Sequence, residues 1–240
     1  MQKPLYKRVM LKISGEALTK PKQFGINLNE AESLAQKIKE VHDLGVQVAI
    51  VMGAGNIWRG IQGTNKGMER ETADQIGMLG TVMNCLTLSD ALKNKGKRVR
   101  LHTSVPMQVI AEPYVRLRAL HQLEKGYIVI LGAGTGHPYF TTDTAAALRA
   151  SELNSDVLIK ATKVDTLYNA DPEKNPDAQP IRKISHMEVI KQRLKALDGT
   201  AVTLCMNNNL PIKIINLWKE NSLKRAVTED DFGSLIYSQA

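Results

Sequence analysis

The chain has 240 residues, 43% of them hydrophobic and 23% charged, enough for a globular protein with a large core and unlike a disordered or fibrous one. A net charge of +8 admits polyanionic partners, yet only 5% of residues are aromatic and the basic residues are scattered, densest at 93–100. That disfavours a nucleic-acid surface and makes a solvated face the reading of the densest patch; an enzyme with polyanionic substrates would also use the excess charge for steering and binding.

No apolar run approaches the roughly 20 residues that span a bilayer, and the segment 1–9 lacks the apolar region of a signal peptide. Cys85 and Cys205 lie far apart, without a partner at metal-ligand spacing. A cytoplasmic chain with reduced thiols and no membrane contact is expected.

In chain order, residues 9–13 predict a first strand, followed by Lys12-Ile-Ser-Gly15 at its end. A helix follows over Leu28, Ala31, Leu34, Ala35, Ile38 and Val41, with Glu30 and Glu32 early and Gly45 just past its end. The segment 19–27, rich in Lys, Pro and Gly, reads as a loop. Residues 46–52 predict the second strand, which runs into Met52-Gly-Ala-Gly-Asn-Ile-Trp-Arg-Gly60. Next, Ile76, Leu79, Val82, Met83, Leu86 and Ala91 recur at helical spacing, and the methionines are expected to fill core.

A strand over 99–103, a short helix over 114–123 and a strand over 127–131 come next. This last strand opens into Leu131-Gly-Ala-Gly-Thr-Gly-His-Pro-Tyr-Phe-Thr-Thr-Asp143 and a helix over 142–153. Gly132, Gly134 and Gly136 allow positive φ and close approach of backbone N–H groups, while the hydroxyls and the helix start add capping groups and a positive dipole end. The segment suits an anion, although a plain tight connection is the alternative. Strands over 157–160, 212–217 and 234–237 follow, the first carrying Lys160-Ala-Thr-Lys-Val-Asp165 at its end. The stretch 168–180, with Asn-Ala-Asp-Pro and two further prolines, is a loop. Both long loops either close over a site or simply run along the surface.

The alternation of strands and helices predicts an α/β fold with a mainly parallel twisted sheet covered on both faces, hence a three-layer αβα sandwich, as one domain. Ligands in such folds gather at the carboxyl ends of strands, so the turns after Ile13, Met52, Leu131 and Lys160 should line one crevice. There is no G-x-x-x-x-G-K-[ST], no G-x-G-x-x-G, no H-E-x-x-H and no G-x-S-x-G. What remains is backbone donors, lysines, Arg59, hydroxyls and a few aspartates. That inventory suits phosphoryl transfer, where positioning and charge neutralisation supply most of the rate.

Six motifs in fixed order, K-I-S-G-E-A-L, G-A-G-N-I-W-R-G, G-M-L-G-T-V-M-N, G-A-G-T-G-H-P-Y-F-T-T-D, K-A-T-K-V-D and N-A-D-P, closely resemble those of the bacterial uridylate kinases in the amino acid kinase superfamily. The resemblance runs from Tyr6 to Ile236. It implies the amino acid kinase fold and transfer of phosphate from ATP to UMP, with Mg²⁺ carried by ATP rather than by protein ligands. It assigns Lys12, Ser14, Gly15, Gly55, Arg59, Thr162, Tyr168 and Asp171 to ATP. To UMP it assigns Ala54, Asp74, Thr135, Gly136, His137, Pro138, Tyr139, Phe140, Thr141 and Thr142. Lys12, Arg59, Asp143 and Lys160 are implied as catalytic, with Asp143 orienting the lysines. The acceptor site would lie mainly in the first ~150 residues of the domain and the ATP site mainly in the rest, a size ordinary for two halves of one domain.

The resemblance further implies a homohexamer activated by GTP and inhibited by UTP. Lys20–Gly25 aligns with part of the GTP site, but its Lys-Pro-Lys-Gln departs from the pattern. Ala54 and Thr166 stand where glycine is common, His137 where asparagine is, and Asn207 where aspartate is.

Overall fold

A computed structural model describes residues 3–21, 23–170, 175 and 177–238, apart from the side chains of Ile61 and Gln62. Strand β1 (Arg8–Ile13) leads through a 3₁₀ turn (Gly15–Leu18) and α1 (Leu28–Asp43) to β2 (Gln47–Met52). Helices α2 (Gly60–Thr64) and α3 (Arg70–Asn94) precede β3 (Val99–Thr103), β4 (Glu112–Pro113), α4 (Arg116–Glu124) and β5 (Ile128–Gly132). Then come α5 (Thr142–Glu152), β6 (Val157–Thr162), the short strands β7 (Leu167–Tyr168), β8 (Pro180–Ile181) and β9 (Lys183–Ser185), and α6 (His186–Lys191). The chain continues through α7 (Gly199–Asn207), β10 (Ile212–Asn216), α8 (Ser222–Thr228) and β11 (Ser234–Tyr237).

Nine strands form one sheet in the order β4-β3-β5-β2-β1-β6-β10-β11-β9, parallel throughout except for β11 against β10. β7 and β8 make a separate antiparallel pair at the base of the 168–180 loop. Side-chain alternation along β1 shows why both faces need cover. Val9, Leu11 and Ile13 enter a core with α1, α3 and α8, whereas Met10 enters a second core with α4, α5 and α7. The expected three-layer α/β sandwich is therefore the observed one.

The helix starts follow local chemistry. Asn27 Oδ1 accepts from the Asn29 and Glu30 amides at 3.0 and 3.3 Å to cap α1, and Gly45, at φ 85°, closes its far end.

Three expectations need correction. Gly132 ends β5 without a positive φ; the left-handed residues of that turn are Ala133 (62°), Gly134 (58°) and Gly136 (84°). Second, α3 does not spend its apolar residues on one core. Val82, Cys85, Leu88 and Leu92 are buried, while Leu79, Met83 and Leu86 are 51, 50 and 41% exposed, so Met83 is not core filler. Third, α6, α7 and α8 are helices in a region where periodicity gave only strands and loop, because each is short: 6, 9 and 7 residues.

Within the described residues no helix is long and apolar enough to cross a membrane. Cys85 and Cys205 are free and buried, and burial pushes each thiol up to about 12.

Candidate active site

The four strands whose ends carry the polar motifs are adjacent, in the order β5-β2-β1-β6, and all parallel. Their carboxyl ends therefore open on one edge of the sheet. Lys12 and Lys160 are register partners across β1 and β6. Asp143, in the first turn of α5, reaches both: Lys12 Nζ lies 2.8 Å from Oδ1 and Lys160 Nζ 2.8 Å from Oδ2. The Lys160 contact is a hydrogen bond, and Lys160 donates a second one to Ala196 O at 2.8 Å. The Lys12 contact is a close ion pair out of hydrogen-bond alignment, since Oδ1 has no hydrogen-bond partner.

All three side chains are 13–17% exposed. Burial pushes the Asp143 carboxyl upward, but Lys12 and Lys160 outweigh it and hold the group below the usual carboxylate range. Burial also pulls the Lys160 ammonium below the ordinary lysine value, with Asp143 opposing and Lys12 adding to the shift. Lys12 and Lys160 together carry one charge more than Asp143, with Asp198 acting on Lys160 as a further carboxylate, and paired cations in a mostly enclosed place are suited to a developing anionic charge.

Around this cluster lie three clefts. One of about 290 Å³ is lined by Ala54, Asp74, Thr135, His137, Phe140, Thr141 and Thr142, together with Gly55 and Arg59. Of the expected acceptor residues, Gly136, Pro138 and Tyr139 do not line it. Gly136 packs against Ser104, where a Cβ would lie 3.0 Å from the Ser104 carbonyl oxygen, and Tyr139 points outward, 64% exposed. The Tyr139 amide nevertheless donates to Asp74 Oδ2 at 2.8 Å, which also accepts from Arg70 Nε at 2.8 Å. Asp74 thus fixes the left-handed Tyr139 (φ 72°) and the position of the loop.

The second cleft, about 320 Å³, is lined by Lys160, Thr162, Thr166 and Tyr168 beside the 192–196 segment. Asp171 lies outside the described residues, as does Lys22 of the 20–25 segment. The third, about 550 Å³, joins Gly55 and Arg59 to Glu16, Lys20, Gln23, Lys163 and Trp218. Gly55 and Arg59 belong to two clefts at once, and Lys160 ties the cluster to the remaining one. Thr142 lines the first cleft and Asp143 follows it, so the lysine-aspartate cluster stands between the first two.

The turns are held by groups that the motifs carry without announcing a role. Ser14 Oγ accepts from the Glu16 amide at 3.3 Å and caps the 3₁₀ turn. Glu16 bridges Arg59 Nη2 and Lys163 Nζ, each at 2.6 Å; the Lys163 hydrogen bond and then Arg59 hold its carboxyl below the ordinary range against burial. Buried Asn56 and Asn84 exchange side-chain hydrogen bonds of 3.1 and 2.7 Å, and Asn84 also donates to Gly53 O at 2.8 Å. Gly15 fits between them: a Cβ there would lie 2.2 Å from Asn56 Oδ1 and 2.6 Å from Gly53 O.

Thr81 Oγ1 accepts from the Ala133 amide at 2.9 Å, so α3 fixes the glycine-rich turn. Thr141 caps α5 by accepting from the Asp143 and Thr144 amides at 3.1 and 3.2 Å. Asp198 receives the hydroxyls of Thr141 and Thr144 and caps α7 through the Ala201 amide at 3.0 Å. Asp198, Glu16, Lys163, Asn56, Asn84 and Thr81 were not among the expected site residues. One signal existed for Asn84: it lies four residues before Leu88 on a core-facing stripe, where a polar side chain implies a buried partner.

Among the described residues no group of three or more His, Cys, Asp or Glu side chains converges as a metal cage. Lys12, Lys160 and Arg59 are the cationic side chains that this region carries.

Comparison with known proteins matches the amino acid kinase family model to residues 7–216. A UMP kinase from Bacillus anthracis is similar at 40% identity and a TM-score of 0.95, covering 98% of this chain and 97% of that one. A UMP kinase from Ureaplasma parvum is similar at 32% identity and a TM-score of 0.91, over 97 and 99% of the two chains. An aspartate kinase from Synechocystis, 18% identical with a TM-score of 0.72 over 97% of this chain and 40% of its own, shares the fold. The family model over residues 7–216, with relatives 40 and 32% identical over nearly the whole chain, shows that this chain belongs to the amino acid kinase family.

Proposed function

We propose that the protein transfers the γ-phosphoryl group of ATP to UMP, giving ADP and UDP. The choice of UMP is supported by full-length likeness to two UMP kinases at 40 and 32% identity. The observation that carries the chemistry is Asp143, held by Lys12 and Lys160 between two clefts. In this reading UMP lies in the 290 Å³ cleft against Ala54, Asp74 and 135–142, which sets the acceptor side mainly in the first ~150 residues of a single domain of ordinary size. ATP extends from Thr162 and Tyr168 toward Lys12, Ser14, Gly15, Gly55 and Arg59, and the resemblance adds Asp171 to its binding residues.

A phosphate monoester has its second pKa near ~6, so UMP is mostly dianionic at neutral pH and needs no general base. One of its phosphate oxygens forms the new bond to the γ-phosphorus, the bond to the β–γ bridging oxygen breaks, and ADP leaves with that electron pair. The difficulty is repulsion between two anions. Lys12 and Lys160 neutralise charge at the transferred group, Arg59 exchanges Glu16 for phosphate, and the α5 start presents its positive end to the acceptor. Mg²⁺ bound to ATP phosphates supplies further charge neutralisation.

A homohexamer goes with this reading; the exposed Leu79, Met83 and Leu86 on α3 support an interface between copies. GTP as activator is supported by Lys20 and Gln23 lining the 550 Å³ cleft beside Arg59. UTP shares its base with UMP and would inhibit by competing for the acceptor cleft. A cytoplasmic location fits two free, buried thiols.

The test is ADP release with UMP, CMP, dUMP, acetylglutamate or aspartate as acceptor. UMP is expected to support turnover and the carboxylates none. Turnover with a carboxylate alone, or salt-sensitive DNA binding without turnover, overturns the reading.

A further inference from the structure

We propose that Arg149 is a positioning residue for the acceptor turn, acting through Ser104; the inference rests on the reading of the 290 Å³ cleft as the UMP site. Arg149 lies two turns into α5, and its side chain is only 8% exposed. Its Nη1 donates to Glu152 Oε2 at 2.7 Å, its Nη2 donates to Ser104 Oγ at 2.9 Å, and its guanidinium carbon sits 4.0 Å over the Tyr114 ring. Tyr114 OH donates to the same Glu152 oxygen at 2.7 Å. The guanidinium is therefore held by a carboxylate through Nη1 and by a ring at its face; Nη2 meets the serine, and the buried Nε makes no hydrogen bond.

The direction of the next bond follows from what each group can do. A guanidinium only donates, so Ser104 Oγ must accept from it, and the single hydroxyl proton is left for another acceptor. That acceptor is Gly134 O at 2.8 Å. The Ser104 amide donates to Gly132 O at 3.2 Å, and Gly136 packs on the Ser104 backbone so closely that a Cβ there would meet its carbonyl oxygen at 3.0 Å. Three residues of the turn thus rest on Ser104, and Arg149 fixes which way its hydroxyl points. Gly134 and Thr135 line the cleft from this turn. Because Thr141 caps α5 and Thr142 opens it, and both line the cleft, one helix sets the acceptor cleft from both its start and its middle.

Ser104→Ala, Arg149→Met and the double variant test this with two readouts: KM for UMP and for ATP, and amide hydrogen exchange of residues 133–137. Each single variant is expected to raise KM for UMP about three- to tenfold, the effect of one lost hydrogen bond, with KM for ATP unchanged. Exchange of 133–137 should quicken relative to the rest of the chain. The double variant should be no worse than Arg149→Met, since both cut the same path. A lowered melting temperature with unchanged KM for UMP and unchanged exchange at 133–137 overturns the inference, and so does a parallel rise in both KM values. Should Arg149→Met not fold, Ser104→Ala alone decides by the same criteria. If the wild type does not phosphorylate UMP, the functional reading fails, while the exchange comparison still decides whether Arg149 holds the turn.

Discussion

Lys12 and Lys160 are lateral partners across two parallel strands, and their ammonium groups lie 2.8 Å from opposite oxygens of Asp143. Strand register, not loop conformation, sets the spacing of the two charges. Neighbouring strands lie about 4.8 Å apart, so two lysines at one register level place their charges close enough to share a carboxylate. The strand order also reverses here, β2 lying on one side of β1 and β6 on the other, which is where open α/β sheets leave a crevice.

The pairing has a pH signature. The Asp143 carboxyl is held below its ordinary value of about 3.9, so the native state prefers it ionised. Its contribution is fully present above the unfolded-state pKa and is lost as pH falls through the native one. Urea unfolding of wild type and Asp143→Asn from pH 7 to 3 should show the difference, wild type minus variant, constant at high pH and shifting against the wild type below about pH 4. A pH-independent difference would mean that the lysines do not stabilise the charge.

Gly15→Ala should destabilise the protein by about 2–3 kcal/mol, the cost of forcing an extra methyl into a packed site. The methyl would fall 2.2 Å from Asn56 Oδ1 and 2.8 Å from Asn84 Nδ2, both buried and hydrogen-bonded, so neither can simply swing away. Thermal unfolding checks this. A melting temperature within a degree of wild type would show that the Asn pair yields.

Leu79→Glu and Met83→Glu place a charge on the exposed apolar stripe of α3. Sedimentation velocity should show each variant as a smaller species than the wild type, with its helix content kept. Unchanged sedimentation of both variants would mean that this stripe makes no contact between copies.

Much of this was legible in the sequence, for identifiable reasons. Buried parallel strands such as β2 and β5 are short apolar runs bounded by glycine turns, and they stood out within about a residue of their ends. The polar motifs stood out because each follows one of these apolar runs at a strand's carboxyl end, where open α/β sheets leave a crevice. What escaped was of two kinds. Short helices like α7, whose Val202 and Thr203 also favour strands, carry too few turns for a periodicity to show. Pairings distant in sequence, such as Asn56 with Asn84 or Arg149 with Ser104, leave no local pattern at all. Lys213 is a further case: it sits fully buried in β10, donating to Ala226 O at 3.1 Å beneath α8, with nothing in its neighbours to mark it.

The most direct test of the transfer centre is UDP formation from ATP and UMP by wild type and Lys12→Ala, with binding of each nucleotide measured separately. Removing one preorganised charge from the transferring group should lower kcat by about 10²–10³, with UMP affinity changed far less. An unchanged kcat in Lys12→Ala would take Lys12 out of the chemistry, and with it the account of Asp143 as the group that aligns two lysines on the phosphoryl in flight.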